Sequence, residues 1–211
     1  MRLGIFGGTF NPIHSAHLRT AEEVGYKLGL DKVIFVPSGN PPLKEQGTVE
    51  ASHRFAMATL AAASNKGFII SDLEAGKKGK SYTVDTLRMF HKNYPGAELF
   101  FILGIDAFLD MPKWRQPERL TGITDFIIVS RPGFSFDAVA KSPYIQSVES
   151  SAGAYALCSL KSGRRAFLVP VTRLDISSTG IRHLIKQKKS IKYLLPPSVE
   201  RYIKKNKLYD K

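Results

Sequence analysis

One cysteine, Cys158, is all that the 211 residues contain. That excludes an internal disulfide and any Cys-rich metal centre, and it points to a reducing, cytoplasmic setting. Set beside Tyr155, Ala156 and Leu157, Cys158 reads as a packed core residue, not a nucleophile. No apolar run approaches the roughly 20 residues a membrane-spanning helix needs. The first apolar stretch is cut by Gly7 and Gly8 and followed by a polar helix, which does not match a secretory signal. Acids are scarce: 18 Asp and Glu stand against 31 Lys and Arg, a formal charge of +13. Such an excess favours a polyanionic partner, whether nucleic acid, an acidic membrane surface or a phosphorylated small molecule. The densest runs (Lys77 to Lys80, Lys186 to Lys189, Lys204 to Lys207) read first as solvated faces, the last two at helix C-termini, where the dipole favours lysine. Also missing are G-x-x-x-x-G-K-S/T, G-x-G-x-x-G after the first strand, H-E-x-x-H and G-x-S-x-G. No repeat or low-complexity segment breaks the chain, and its length suits one domain over residues 1–211.

What is present begins at once. Leu3 to Phe6 is a short apolar run of the kind a buried strand shows. Gly7 and Gly8 follow, and without a Cβ they let the backbone bend and approach a ligand closely. Then come Thr9, Phe10, an Asn11-Pro12 turn, and His14 and His17 where a helix should start. Free N–H groups and the positive dipole end at a helix start favour an anion. A glycine pair or a single histidine is by itself more often a plain turn or cap; the ordered string is what is specific.

The helical stripe Leu18, Ala21, Val24 and Leu28 predicts a helix over 15–28, with Ser15 as N-cap and Gly29 as stop. Val33 to Val36 is the next strand, so the opening is a strand–helix–strand unit. The loop after it carries Asn40 and Lys44, which either reach a ligand at the carboxyl ends of the strands or are a rigid connector with a solvated lysine. Ser52 to Ala63 reads as a helix with Phe55, Ala56, Leu60 and Ala63 inward and Arg54 toward the loops. Further strands are expected at 68–70, 99–103, 126–129 and 166–169, with a helix opening at Ser81-Tyr82-Thr83-Val84. Gly104 and Asp106 end the fourth strand, where the acid either meets ribose hydroxyls or a metal, or caps a helix. Trp114, the only tryptophan, lies between charged residues, as an exposed platform for a planar ring would. Residues 134–165 read as loops with short helical pieces. Ile176-Ser177-Ser178-Thr179 precedes a helix carrying Arg182, a second anion-receptive helix start, though Ser-Ser-Thr is also simply a good cap. The sum is an α/β chain: a Rossmann-like open parallel sheet with helices on both faces and a C-terminal helical segment.

His14 and His17 have no Asp, Glu or Cys nearby to complete a metal site of usual type. Two histidines, several cations and two helix starts, with no evident base or nucleophile, suit nucleotidyl transfer, where positioning and charge neutralisation do most of the work. An attacking phosphate is already largely ionised at neutral pH, its second pKa being about 6.

At these residues the chain resembles the nucleotidyltransferase superfamily. Gly7 to His17 is similar to its H-x-G-H region, and Ile176 to Arg182 to its I-S-S-T-x-I-R signature. With Ser81-Tyr82-Thr83, Leu103 to Asp106, Trp114 and Arg131-Pro132-Gly133 added, the resemblance narrows to bacterial nicotinate mononucleotide adenylyltransferases over essentially the whole length. It implies adenylyl transfer from ATP to nicotinate mononucleotide, with Mg²⁺, giving deamido-NAD and pyrophosphate. It implies His14, His17 and Arg182 as catalytic, and Gly7, Gly8, Thr9, Phe10, Gly104, Asp106, Arg131, Ile176, Ser177 and Ser178 as further ATP contacts. Asn40, Lys44, Ser81, Tyr82, Thr83, Trp114 and backbone near Val84 and Arg115 are then the mononucleotide contacts. No side chain is implied as a metal ligand. The chain departs from the family at Ala16, where glycine is usual, and at Asn11, where aspartate is frequent. A phosphopantetheine-adenylylating enzyme and a basic nucleic-acid-binding module are the competing readings. Neither nucleic acid nor a membrane is the expected partner, and homo-oligomer formation stays open.

Overall fold

A computed structural model of the chain describes residues 1–40, 47–77, 79–149 and 153–210. The central strand is β1 (Arg2–Gly8), which pairs in parallel with β2 (Lys32–Pro37) on one side and β4 (Glu98–Gly104) on the other. Outside these lie β3 (Phe68–Ile70) beyond β2, and β5 (Asp125–Val129) and β8 (Arg165–Val169) beyond β4, all parallel. The order β3-β2-β1-β4-β5 reverses between β1 and β4, the position at which open α/β sheets form their crevice.

The crossovers are α1 (Ser15–Leu28), α2 (Ala51–Ala62), α3 (Thr83–Asn93), and then α4 (Ile105–Asp110) with α5 (Pro117–Ile123). Because side chains alternate across a strand, the two faces of the sheet feed two cores. Phe6, Phe35, Phe100, Ile102 and Phe167 pack with α1 and α2 on one face, joined there by α7 (Ser178–Lys186) and α8 (Pro197–Lys205). Leu3, Ile5, Val36, Phe101, Leu103 and Phe126 pack on the other face with Val84, Leu87 and Phe90 of α3 and Phe108 of α4. Burial on both faces is why these strands read as continuous apolar runs.

α1 has the expected bounds, and Gly29 ends it in the left-handed conformation at φ 58°. Its N-cap, however, is His14, not Ser15. In α2 the expected inward face is rotated. The buried residues are Arg54, Met57, Ala58, Ala61 and Ala62, while Leu60 is exposed. A fully buried arginine sets this face, and a search for apolar spacing passes over it.

Residues 134–165 are more regular than expected. They hold a short helix, α6 (Asp137–Ala140), and two strands, β6 (Ile145–Val148) and β7 (Ala156–Leu160). β7 runs antiparallel to β8, and β6 antiparallel to β7, so the sheet is mixed at this edge, not parallel throughout. Both strands are short and Ser-containing, and three of the four β6 residues are exposed, which blurs the alternation that marks a strand. Cys158 lies fully buried on β7, where burial pushes its thiol pKa up, Glu149 adding to the effect. Among the described residues no helix is long and apolar enough to cross a membrane.

Candidate active site

The carboxyl ends of β1 and β4 open into a cleft of about 680 Å³. Its floor is the loop from β1 into α1. Gly7 and Gly8 belong to the strand, and neither has a positive φ; the left-handed residue of the turn is Phe10, at φ 48°. The bend expected at the glycines is therefore made two residues later. Gly8 is needed for a different reason: a Cβ there would lie 2.9 Å from the Phe10 ring.

The carbonyls of this loop are held by side chains from remote elements. Arg54, 1% exposed, donates from Nη1 to Thr9 O (2.8 Å), from Nη2 to Gly39 O (2.8 Å) and from Nε to Val49 O (3.0 Å). It thus ties the loop after β1 to the loop after β2. Ser178 Oγ donates to Pro12 O at 2.8 Å, and Arg182 Nη1 to Asn11 O at 2.9 Å, bringing the start of α7 against the same loop. Ser177 caps α7, its Oγ accepting from Gly180 N–H at 3.0 Å.

At the start of α1 the His14 backbone N–H donates to His17 Nδ1 at 3.3 Å, the return half of a capping box. The two imidazoles stack at 3.7 Å, and Phe10 meets His17 edge-on at 5.1 Å. Burial, reinforced by the Arg131 charge, lowers the His14 pKa to about 4. Burial, then His14, then Arg131 hold His17 well below the usual histidine value. Both rings are therefore neutral at pH 7 before an anion arrives.

These shifts have a consequence for stability. Unfolded histidine binds its proton near pH 6.5, whereas folded His14 does so only near 4, so the unfolded state takes up more protons between those values. Stability is complete above about pH 6.5 and falls as the pH drops toward 4, with His14 contributing on the order of 3 kcal/mol. Urea midpoints should fall in the order pH 7.5, 6.0, 4.5, and His14→Gln should flatten that slope; an equal slope in the variant would refute the assignment.

On the β4 side, Asp106 Oδ1 lies 3.3 Å from Arg131 Nε, and Gly104 sits under both. Trp114 is half-buried, edge-to-face with Phe101 at 6.4 Å, and it lines the cleft. Beside it the Arg115 guanidinium lies 4.5 Å over the Tyr82 ring. Ser81, Tyr82 and Thr83 at the start of α3 complete this end. Among the described residues, four buried side-chain polar atoms lack a hydrogen-bond partner: His14 Nδ1, Ser38 Oγ, Ser81 Oγ and Asp106 Oδ1. All four belong to residues of this one cleft. An unsatisfied buried polar group costs about 1–3 kcal/mol, which a polar ligand would recover.

Not every residue singled out from the sequence reaches the cleft. Asn40 is exposed and is not among the lining residues; its carbonyl accepts from Ser81 N–H at 3.1 Å. Ile176 packs partly buried against the core, and the Val84 side chain is wholly in the core, leaving that residue only backbone to offer. Lys44 lies outside the described residues. Sequence reasoning missed Ser38 and Glu74, which line the cleft, Glu74 accepting from Thr86 Oγ1 at 2.6 Å. Nothing local distinguishes them from other loop residues. Among the described residues no group of three or more His, Cys, Asp or Glu could hold a metal ion.

Residues 5–184 match the family model described as cytidylyltransferase-like. The chain belongs to the cytidylyltransferase-like family. Among relatives, a protein of Geotalea daltonii named "Probable nicotinate-nucleotide adenylyltransferase" is 43% identical over 213 residues, covering 100% of this chain and 99% of its own. A Geobacter sulfurreducens protein of the same name is 42% identical over 212 residues, covering 99% and 98%. Among solved structures, the Plasmodium falciparum nicotinic acid mononucleotide adenylyltransferase complexed with NaAD superposes with a TM-score of 0.78 at 23% identity, over 99% of this chain and 97% of that one. That likeness establishes the fold. The cytidylyltransferase-like sheet of this chain carries its antiparallel pair at one edge, away from the β1/β4 crevice.

Proposed function

We infer that this protein transfers the adenylyl group of Mg-ATP to nicotinate mononucleotide, releasing pyrophosphate and forming deamido-NAD, a step of NAD biosynthesis. The observation that carries the reading is the meeting of His14, His17, Ser177, Ser178 and Arg182 with Trp114, Tyr82 and Thr83 in one cleft with unpartnered polar atoms. The names of relatives at 42–43% identity over full length support the choice of substrates.

The mononucleotide phosphate attacks the ATP α-phosphorus in line; the new P–O bond forms as the bond to the β-phosphate oxygen breaks, and pyrophosphate leaves. The attacking oxygen is already ionised, so no base is required. What the protein must supply is relief of anion–anion repulsion and stabilisation of the charge on the α-phosphate. His17 donates a hydrogen bond to that phosphate, and His14 and Arg182 hold the rest of the triphosphate from two helix starts. Gly7 to Phe10 lie under the triphosphate, Gly104, Asp106 and Arg131 take the adenosine, and Ile176 supports the loop that carries Ser177. Trp114 stacks on the pyridine ring, and backbone N–H groups at Thr83, Val84 and Arg115 meet its carboxylate. Asn40 and Lys44 help to hold the mononucleotide phosphate. Magnesium arrives with the triphosphate and neutralises part of its charge; it is part of the substrate, in keeping with its preference for phosphate oxygens and water.

Residues 1–211 act as one domain, a reading the single eight-stranded sheet supports. The buried Cys158 fits a reducing, cytoplasmic location.

Pyrophosphate release from Mg-ATP should be rapid with nicotinate mononucleotide and slow or absent with phosphopantetheine; no turnover with nicotinate or nicotinamide mononucleotide overturns the reading. Trp114→Ala should raise KM for the mononucleotide about tenfold or more, since aromatic stacking is worth about 1–3 kcal/mol, and leave KM for ATP unchanged. Equal effects on both KM values would remove the stacking role.

A further inference from the structure

We infer that Tyr209, just past α8, is a positioning residue for the triphosphate end of the cleft, acting through Asn11 on Arg182. The inference rests on the adenylyl-transfer reading only in taking Arg182 and the loop before α1 to hold the triphosphate.

Tyr209 is distant in sequence from the site, yet its hydroxyl donates to Asn11 Oδ1 at 2.8 Å in a buried contact. Asn11 itself is 2% exposed. Its other side-chain bonds are longer: Val49 N–H to Oδ1 at 3.3 Å, and Nδ2 to Gly47 O at 3.3 Å. The Tyr209 bond is therefore the tightest restraint on the Asn11 side chain. The same residue's backbone carbonyl accepts Arg182 Nη1 at 2.9 Å. Asn11 is a two-way joint, its side chain held from one side and its carbonyl holding a cleft arginine on the other. The neighbouring loop carbonyls already have their own donors, Arg54 at Thr9 and Ser178 at Pro12. Among the described residues, Tyr209 makes the shortest bond to the one side chain of this loop that is held from both sides.

Two further features fit a device held in place. Tyr209 has φ 68°, a left-handed backbone that a bulky side chain adopts only under constraint. Burial also pushes its phenol pKa up against the opposing charges of Arg182 and Arg54, so the hydroxyl keeps the proton it donates. Loss of this bond leaves the loop and the sheet in place but widens the range of positions open to the Asn11 carbonyl, and with it Arg182.

Tyr202 supplies an internal control. It lies on α8 and pairs its hydroxyl with His53 Nδ1 at 3.0 Å, joining α8 to α2 without touching the loop. Isothermal titration of Mg-ATP into wild-type protein, Tyr209→Phe and Tyr202→Phe, with melting temperatures and steady-state kinetics, tests the link. Tyr209→Phe should weaken ATP binding about fivefold, the worth of one hydrogen bond, and raise KM for ATP with KM for the mononucleotide unchanged. Tyr202→Phe should bind ATP as the wild type does. Asn11→Ala should weaken ATP binding similarly, and the double variant should add little to either single change. Unchanged ATP affinity in Tyr209→Phe, or an equal loss in Tyr202→Phe, overturns the inference. If the wild type binds ATP but turns over no pyridine nucleotide, the substrate reading fails, and the ATP titrations still decide the role of Tyr209.

Discussion

His17→Ala is expected to lower kcat by about 10²–10³-fold while leaving the folded chain intact, the usual effect of removing one preorganised donor to a developing phosphate charge. The size follows from where the imidazole stands. His17 is stacked on His14, edge-on to Phe10, and kept neutral by burial, by the adjoining His14 and by the Arg131 charge. A ring so confined does not have to be reorganised when charge builds on the α-phosphate. The alanine variant also loses the acceptor for the His14 backbone N–H, a bond worth about 1 kcal/mol. His17→Gln, which keeps an acceptor and a donor, separates that small structural cost from the chemical one. The alanine variant should show a native circular-dichroism spectrum and a nearly normal melting curve. Turnover within a few-fold of wild type would refute the role given to His17.

Arg54→Met is expected to cost about 3–5 kcal/mol of stability, because the carbonyls of Thr9, Gly39 and Val49 lose their donor together, at about 1–3 kcal/mol each before relaxation. For a chain of this size that lowers the melting temperature by on the order of 10 °C. Methionine fills much of the arginine volume, so the loss reports the hydrogen bonds more than a cavity. Lysine offers no planar fork and cannot reach three carbonyls in three directions. Arg54→Lys should therefore recover little. A shift below about 2 °C for Arg54→Met would show that the loops hold one another without the guanidinium. Burial lowers the Arg54 pKa, with Tyr209 and Glu74 opposing the shift, but an arginine retains its charge at any working pH.

The two predictions sit on opposite sides of what could be read from residue order. His17 belongs to a local string, a strand, a turn and a helix start within a few residues, and its place follows from backbone geometry that short sequence spans impose. The bounds of α1 and the positions of β1 to β5 and β8 were legible for the same reason: buried strands and amphipathic helices write their periods into consecutive residues. Arg54 was legible only as a helix residue near loops. That its guanidinium is buried on this face beside Met57 and Ala58 depends on carbonyls at Thr9 and Gly39, distant in the chain, being brought to it.

The departures of the structure from local periodicity have the same origin. Apolar spacing in α2 runs through Phe55 and Leu60, and a polar residue inside the fold, Arg54, breaks that period. The β6–β7 pair was hidden because an edge hairpin exposes much of its surface and so carries weak alternation. The Val84 side chain lies in the core, as its place in the apolar stripe of α3 implies, while motif order alone does not tell that Ile176 packs partly buried against the core or that the Asn40 side chain is exposed.

By itself the sequence determined the α/β class, the strand that begins it, and the residue types that meet a phosphate: glycine, hydroxyl, histidine and arginine at two helix starts. Each rests on local periodicity or local hydrogen-bonding capacity. Only the tertiary structure decided that these starts face one crevice at the β1/β4 reversal, that among the described residues four buried side-chain polar atoms there lack a hydrogen bond, and that Arg54 and Tyr209 both bond to the loop before α1. The reason is physical: a buried polar group takes its partner from whatever the fold brings within about 3 Å, and no spacing along the chain encodes that distance.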